Sequence, residues 1–133
     1  MILIVDDDKS IRLSLRLMLR RNGYETQEAS CPEEAMAAVR NPMPPELILL
    51  DMNFTRSTSG DEGLTLLRQI RLFLPDVPVL LMTAWGTIPL AVEGIKAGAN
   101  DFITKPWDNG VLLSRIESAI TISQKTGASK GDN

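Results

Sequence analysis

The chain of 133 residues carries 17 acidic and 14 basic side chains, with 44% hydrophobic and 23% charged residues, a composition that suits one globular domain with a single core. It holds no histidine, which excludes His-based nucleophilic or acid–base catalysis and the usual His-containing zinc sites. Its single cysteine, Cys31, excludes an internal disulfide and fits a reducing compartment. The apolar runs are too short to span a bilayer and the Met1 start leaves no room for a charged signal-peptide segment, so no membrane association and a cytoplasmic location are expected. The cations are scattered, which gives no basis for direct nucleic-acid binding by this segment. Arg12, Arg16, Arg20 and Arg21 come nearest to a patch, and their helical spacing reads as a solvated face.

In chain order, Ile2 to Val5 reads as a short buried strand broken by Asp6-Asp7-Asp8, with Asp8 placed to cap the next helix. That helix, Lys9 to Asn22, sets Ile11, Leu15, Met18 and Leu19 on one face and stops at Gly23. Tyr24 to Ala29 is a weaker strand near an edge, and Pro32 opens a second helix to about Arg40. Leu47 to Leu50 are four consecutive apolar residues ending in Asp51, the pattern of a strand buried on both faces. A polar loop, Thr55 to Gly60, leads into a helix from Asp61 to Phe73 with Leu64, Leu67 and Ile70 inward. Val79 to Met82 is another buried strand, ending in Thr83-Ala84-Trp85-Gly86; a helix from Ile88 to Ala97 stops at Gly98. Asp101 to Thr104 is the last strand, followed by Lys105-Pro106 and a helix from Asn109 to Ser123 that buries Leu112, Ile116, Ala119 and Ile120. Gln124 to Asn133 is polar and unpatterned and reads as a linker or frayed tail. The domain is thus expected over 1–122, with 123–133 as the tail.

A βα unit repeated five times predicts a three-layer, doubly wound α/β fold with a five-stranded parallel sheet and right-handed crossovers. In such sheets ligands bind beyond the carboxyl ends of the strands. Those ends carry Asp6-Asp7, Asp51, Thr83 and Lys105. Three clustered carboxylates repel one another unless a cation intervenes, and Mg²⁺ takes a few carboxylates while keeping several waters. Mg²⁺ and Lys105 can neutralise the oxygens of a phosphoryl group, Thr83 can donate a hydrogen bond to it, and Asp51 can attack as a carboxylate nucleophile.

Four stretches carry a family resemblance: Ile-Leu-Ile-Val-Asp-Asp-Asp at the start, Leu-Ile-Leu-Leu-Asp51-Met, Leu-Leu-Met-Thr83-Ala84, and Gly98-Ala-Asn-Asp-Phe-Ile-Thr-Lys105-Pro106. In this order and spacing the chain resembles the receiver domain of two-component response regulators, the chemotaxis-regulator-like group with strand order 2-1-3-4-5 and a flavodoxin-like fold. The resemblance implies that Asp51 accepts a phosphoryl group from a sensor histidine kinase. It also implies that Asp7 and Asp51 ligate Mg²⁺ directly, Asp6 mainly through water, and the backbone carbonyl of Asn53 as a further ligand. Thr83 and Phe102 fall at the family's switch positions, although Phe102 reads equally well as a core aromatic of its strand. The output surface implied is the fourth helix, last strand and fifth helix, through which a homodimer is also implied.

The wording Asp51-Met-Asn-Phe-Thr-Arg resembles the subgroup attached to AAA+ ATPases that activate transcription with the alternative sigma factor, which implies AAA+ and DNA-binding output domains in a longer protein. The loop Phe54 to Gly60 is longer than the family's usual one, either a neutral insertion or a cover bringing Arg56 to the site; Trp85 at the mouth can shield an acyl phosphate from water. The chain is expected to be a self-phosphorylating switch, with at most slow autodephosphorylation, rather than an enzyme. A Mg²⁺-dependent phosphatase would need a second carboxylate two residues after the nucleophile, where Asn53 stands. A flavin or nucleotide binder would need a phosphate loop where Asp6-Asp7-Asp8 stands. The remaining alternative is a degenerate receiver serving only as a protein-interaction module.

Overall fold

A computed structural model of the chain describes residues 1–52, 61–84 and 88–131. Asn53, the loop Thr55 to Gly60 with Arg56, and Trp85 lie outside the described residues. The elements alternate as the apolar runs and glycine stops dictate: β1 (Ile2–Val5), α1 (Lys9–Arg21), β2 (Thr26–Ala29), α2 (Pro32–Val39), β3 (Leu47–Asp51), α3 (Asp61–Phe73), β4 (Val79–Ala84), α4 (Ile88–Lys96), β5 (Asp101–Lys105) and α5 (Asn109–Gly131). The five strands form one parallel sheet in the order β2-β1-β3-β4-β5, as expected.

Strand alternation divides the core into two layers. Leu3, Val5, Ile48, Leu50, Val79 and Leu81 face α2 and α3, whose Met36, Val39, Leu66, Leu67 and Ile70 cover them. Ile2, Ile4, Leu47, Leu49, Leu80 and Met82 face α1 and α5, which contribute Leu15, Leu19, Leu112 and Ile116. Because β1, and β3 up to Asp51, are apolar at every position and covered on both sides, they are held deep in the sheet, and their ends are fixed in place. Helices α1 and α4 each end near a glycine with positive φ, Gly23 at 86° and Gly98 at 114°, a backbone region that favours glycine.

Two expectations need correction. Helix α5 continues to Gly131, past the end expected at Ser123, so the tail is helical in backbone over most of its length. Gln, Lys and Ala propagate a helix well without an apolar face, and no proline intervenes, so the lack of a hydrophobic period was not a stop signal. The arginine row of α1 is also not one solvated face. Arg20 and Arg21 are exposed, whereas Arg12 and Arg16 are half-buried against the edge strand, paired with Glu28 of β2.

Candidate functional site

The carboxyl edge of the sheet collects the polar strand ends. At the end of β1 the Asp6 N–H donates to the Ala29 carbonyl at 3.1 Å, extending the ladder with β2 by one residue. Asp6 Oδ1 accepts the Asp8 N–H at 2.9 Å, and Asp8 in turn caps α1, accepting from the Ser10 N–H at 2.8 Å and the Ile11 N–H at 3.4 Å. Three successive aspartates therefore divide the work: Asp8 caps the helix, and Asp6 and Asp7 remain for the crevice. Asp51 closes β3 opposite Met82 of β4 and is buried.

Asp6, Asp7 and Asp51 offer carboxylate oxygens that all lie within 4.8 Å of one another. Lys105, last residue of β5, reaches past β4 to place Nζ 3.2 Å from Asp6 Oδ2 and 3.2 Å from Asp51 Oδ1. One ammonium thus bridges two buried carboxylates. Burial, and then the Asp51 charge, push the Asp6 carboxyl above the usual range despite the lowering effect of the Asp8 N–H and Lys105. Partial burial, and then the Asp6 charge, raise Asp7 in the same direction. Burial draws Lys105 down, but the charges of Asp51 and Asp6 outweigh it and its ammonium is held above the ordinary lysine value.

Among the described residues a single lysine is paired with this group of three carboxylates, so their negative charge exceeds the positive charge set against it. The donor set consists of hard oxygens at a spacing one small divalent cation can bridge, which fits Mg²⁺. Asp6, Asp7 and Asp51 are the described residues that would hold it.

Thr83 lies next to Met82 on β4 and is fully buried; its hydroxyl donates weakly to the Ala84 carbonyl at 3.4 Å. By alternation it shares a sheet face with Leu81, and Phe102 of β5 sits opposite Leu81 in register on that same face. Phe102 is half-buried and packs against the α2–α3 layer of the core. Its carbonyl accepts from Arg115 Nη1 of α5 at 2.9 Å, and the same nitrogen donates to both carboxylate oxygens of Asp101 at 3.0 Å. The structure thus gathers Asp6, Asp7 and Asp51 at one sheet edge with Lys105 in contact with Asp6 and Asp51, and with Thr83 on the adjoining strand. Arg12 was missed at the site: its Nη1 donates to the Asp6 carbonyl at 2.6 Å. The helical spacing that places Arg12 near the α1 start was the available signal, but the identity of its acceptor depends on the fold.

Sheet order, carboxylate cluster and bridging lysine together match the arrangement expected of a receiver domain. The chain belongs to the response regulator receiver domain family, which it matches over residues 2–117. It is 36% identical over 127 residues to the transcriptional regulatory protein ZraR of Salmonella typhimurium, a match covering 96% of this chain and 28% of that protein. It is 36% identical over 119 residues to the response regulator MprA of Mycobacterium sp. (strain KMS), covering 90% of this chain and 50% of that one. The crystal structure of the receiver domain of NtrX from Brucella abortus is similar with a TM-score of 0.83 at 36% identity, covering 91% of this chain and 98% of that chain. A crystal structure of NtrX reaching beyond that domain gives a TM-score of 0.90 at 34% identity, covering 99% of this chain and 29% of that chain. The chain spans half or less of the length of these two curated relatives. Among the described residues no helix is long and apolar enough to cross a membrane.

Proposed function

We propose that this chain is the phosphorylation-operated switch of a two-component system, with Asp51 as acceptor of a phosphoryl group from a phosphohistidine on a sensor histidine kinase. The observation that carries the reading is the bridging of buried Asp6 and Asp51 by Lys105, beside Asp7, at one sheet edge. An Asp51 oxygen forms the P–O bond while the P–N bond of the donor breaks, the electron pair staying on the imidazole nitrogen. Bound Mg²⁺ would supply the positive charge that lowers repulsion between the Asp51 carboxylate and the incoming phosphoryl oxygens. Lys105 leaves its pairing with Asp51 to contact a phosphoryl oxygen, and Asp6 and Asp7 hold the acidic cradle. Thr83 gives up its long bond to Ala84 and donates to the phosphoryl group; Phe102, on the same sheet face, turns inward into the space vacated.

The change is read on the α4-β5-α5 surface, where Val92 and Ile95 of α4 and Val111 of α5 are exposed apolar side chains suited to an output domain or a homodimer partner. The name of ZraR and crystal structures of NtrX with ADP and with ATP support an AAA+ output unit and transcriptional control in the longer protein. Residues 1–122 are the receiver, and 123–133 lead toward that unit as a helical connection for most of their length. The protein acts in the cytoplasm as a switch rather than an enzyme, with at most slow loss of its own phosphoryl group.

Intact-mass spectrometry after incubation with acetyl phosphate, with and without Mg²⁺, tests the reading. The expected result is a Mg²⁺-dependent gain of one phosphoryl group that Asp51→Asn abolishes. An unmodified wild-type chain under all conditions would instead make this a protein-interaction module.

A further inference from the structure

The backbone of Asp6, the residue that follows β1, is held on both sides of its Cα, through the Val5–Asp6 peptide and through the Asp6–Asp7 peptide. Its amide end is held by β2, the Asp6 N–H donating to the Ala29 carbonyl at 3.1 Å. Its carbonyl end is held by α1, Arg12 Nη1 donating to the Asp6 oxygen at 2.6 Å. Arg12 is itself anchored, since its Nε lies 3.3 Å from Glu28 Oε1 on β2, and its side chain is only 14% exposed. Arg16, one turn further along α1, takes the other Glu28 oxygen at 3.0 Å. Glu28 sits opposite Ile4 in the sheet register, so the whole assembly is tied to the strand that ends in the site.

We infer that Arg12, locked by Glu28, is a positioning residue for the Asp6–Asp7 pair: it fixes the Asp6 carbonyl and thereby the direction in which both carboxylates enter the crevice. This inference rests on the Mg²⁺ reading of the site. Rotation of the Asp6–Asp7 peptide plane swings the two flanking side chains apart, and a cation held by oxygens from neighbouring residues is sensitive to that angle. An ion pair that water still reaches contributes little to stability by itself. Its directed bond to a main-chain atom of a ligating residue is what ties Arg12 to the metal. Residues that orient ligands from behind typically change metal affinity by about 10- to 100-fold when removed.

The test is calorimetric titration of the full chain with MgCl₂ at constant ionic strength, for wild type, Arg12→Ala, Arg12→Lys and Glu28→Gln, with melting curves recorded in EDTA. Arg12→Ala is expected to weaken Mg²⁺ binding about tenfold, the low end for such residues. Arg12→Lys is expected to behave like the alanine variant, because one ammonium keeps the charge but cannot serve the Asp6 carbonyl and Glu28 together. Glu28→Gln leaves both arginines in place and is expected to lose part of the affinity; it decides the matter if Arg12→Ala does not fold. Phosphorylation of Arg12→Ala by acetyl phosphate is expected to recover at saturating Mg²⁺, as a purely positional defect in metal binding requires.

Wild-type Mg²⁺ affinity in both Arg12→Ala and Glu28→Gln overturns the inference, and so does full rescue by Arg12→Lys, which would make charge rather than geometry the cause. A wild-type chain that binds no Mg²⁺ and gains no phosphoryl group overturns the metal reading itself, an outcome distinct from variants that match a binding wild type.

Discussion

Replacing Lys105 by methionine keeps the aliphatic stem and removes the ammonium that lies 3.2 Å from both Asp6 Oδ2 and Asp51 Oδ1. At an effective dielectric near 20, one such contact amounts to about 5 kcal/mol of gross attraction, most of it offset by the desolvation of the partners. What the substitution leaves behind is two facing carboxylates, Asp6 at 0% and Asp51 at 2% exposure, without their bridging cation. Removing one partner of a buried pair costs about 3 to 5 kcal/mol. Lys105 is 21% exposed, so water reaches the pair and the lower end applies, about 3 kcal/mol. For a domain of this size that corresponds to a fall in Tm of about 10 °C.

The assay is thermal unfolding by circular dichroism at pH 7.5 in EDTA, repeated in Mg²⁺ and at pH 5. The sign of the pH effect follows from Asp6. Its carboxyl is already raised by burial and by Asp51, so its ionised form is disfavoured in the fold, and the stability linked to its protonation is present at low pH and lost as pH rises through the raised value. Without Lys105, which normally pulls it down, Asp6 rises further, so Lys105→Met is expected to regain stability as pH falls from 7.5. Mg²⁺ is expected to narrow the gap as well, because the ion supplies the missing charge. A variant as stable as wild type in EDTA, or a deficit unchanged by pH and by Mg²⁺, would refute the electrostatic account and leave only side-chain packing.

Mg²⁺ at a hundredfold excess over its Kd is expected to stabilise the wild type by about 2.7 kcal/mol, with a smaller rise in Tm at pH 5, where protons compete for Asp6 and Asp7, both carboxyls being raised by burial and neighbouring charge. Gly94→Ala places a methyl group of α4 on the Leu81 Cδ1 atom of β4 and should cost about 1 to 3 kcal/mol, read as a lower urea midpoint at unchanged m; Leu81→Ala in the same chain should recover part of it. Arg71 ties α3 to the start of β4 and to the α4–β5 connection by donating to the carbonyls of Gly98, Leu74 and Val77 and to Asn100 Oδ1 at 2.6 to 2.9 Å. Arg71→Ala is therefore expected to lose about 2 kcal/mol, with faster amide exchange at Gly98 to Asn100, since several carbonyls lose their donor together.

The fold was legible from local pattern, because each element announces itself within a few residues. Leu47 to Leu50 fit a strand covered on both sides, Gly23 and Gly98 mark where helices stop, and Asp8 stands where a cap is needed. Residue type and position at the strand ends were enough to nominate Asp6, Asp7, Asp51, Thr83 and Lys105, since a parallel sheet brings those ends to one edge. How those groups are joined was decided by tertiary structure. Lys105 and Asp6 are 99 residues apart, and their contact depends on strand order and on a side chain long enough to pass β4. Arg12 and Arg16 carry the same helical spacing as exposed Arg20 and Arg21; only the placement of β2 beside β1 supplies Glu28 and turns two of the four away from water. The run of α5 to Gly131 was hidden for a different reason: the sequence after Ser123 has no apolar residues at helical spacing, so no hydrophobic period records a helix there. Periodicity registers what a segment buries, whereas the long-range pairing of polar groups is registered only when the chain has folded.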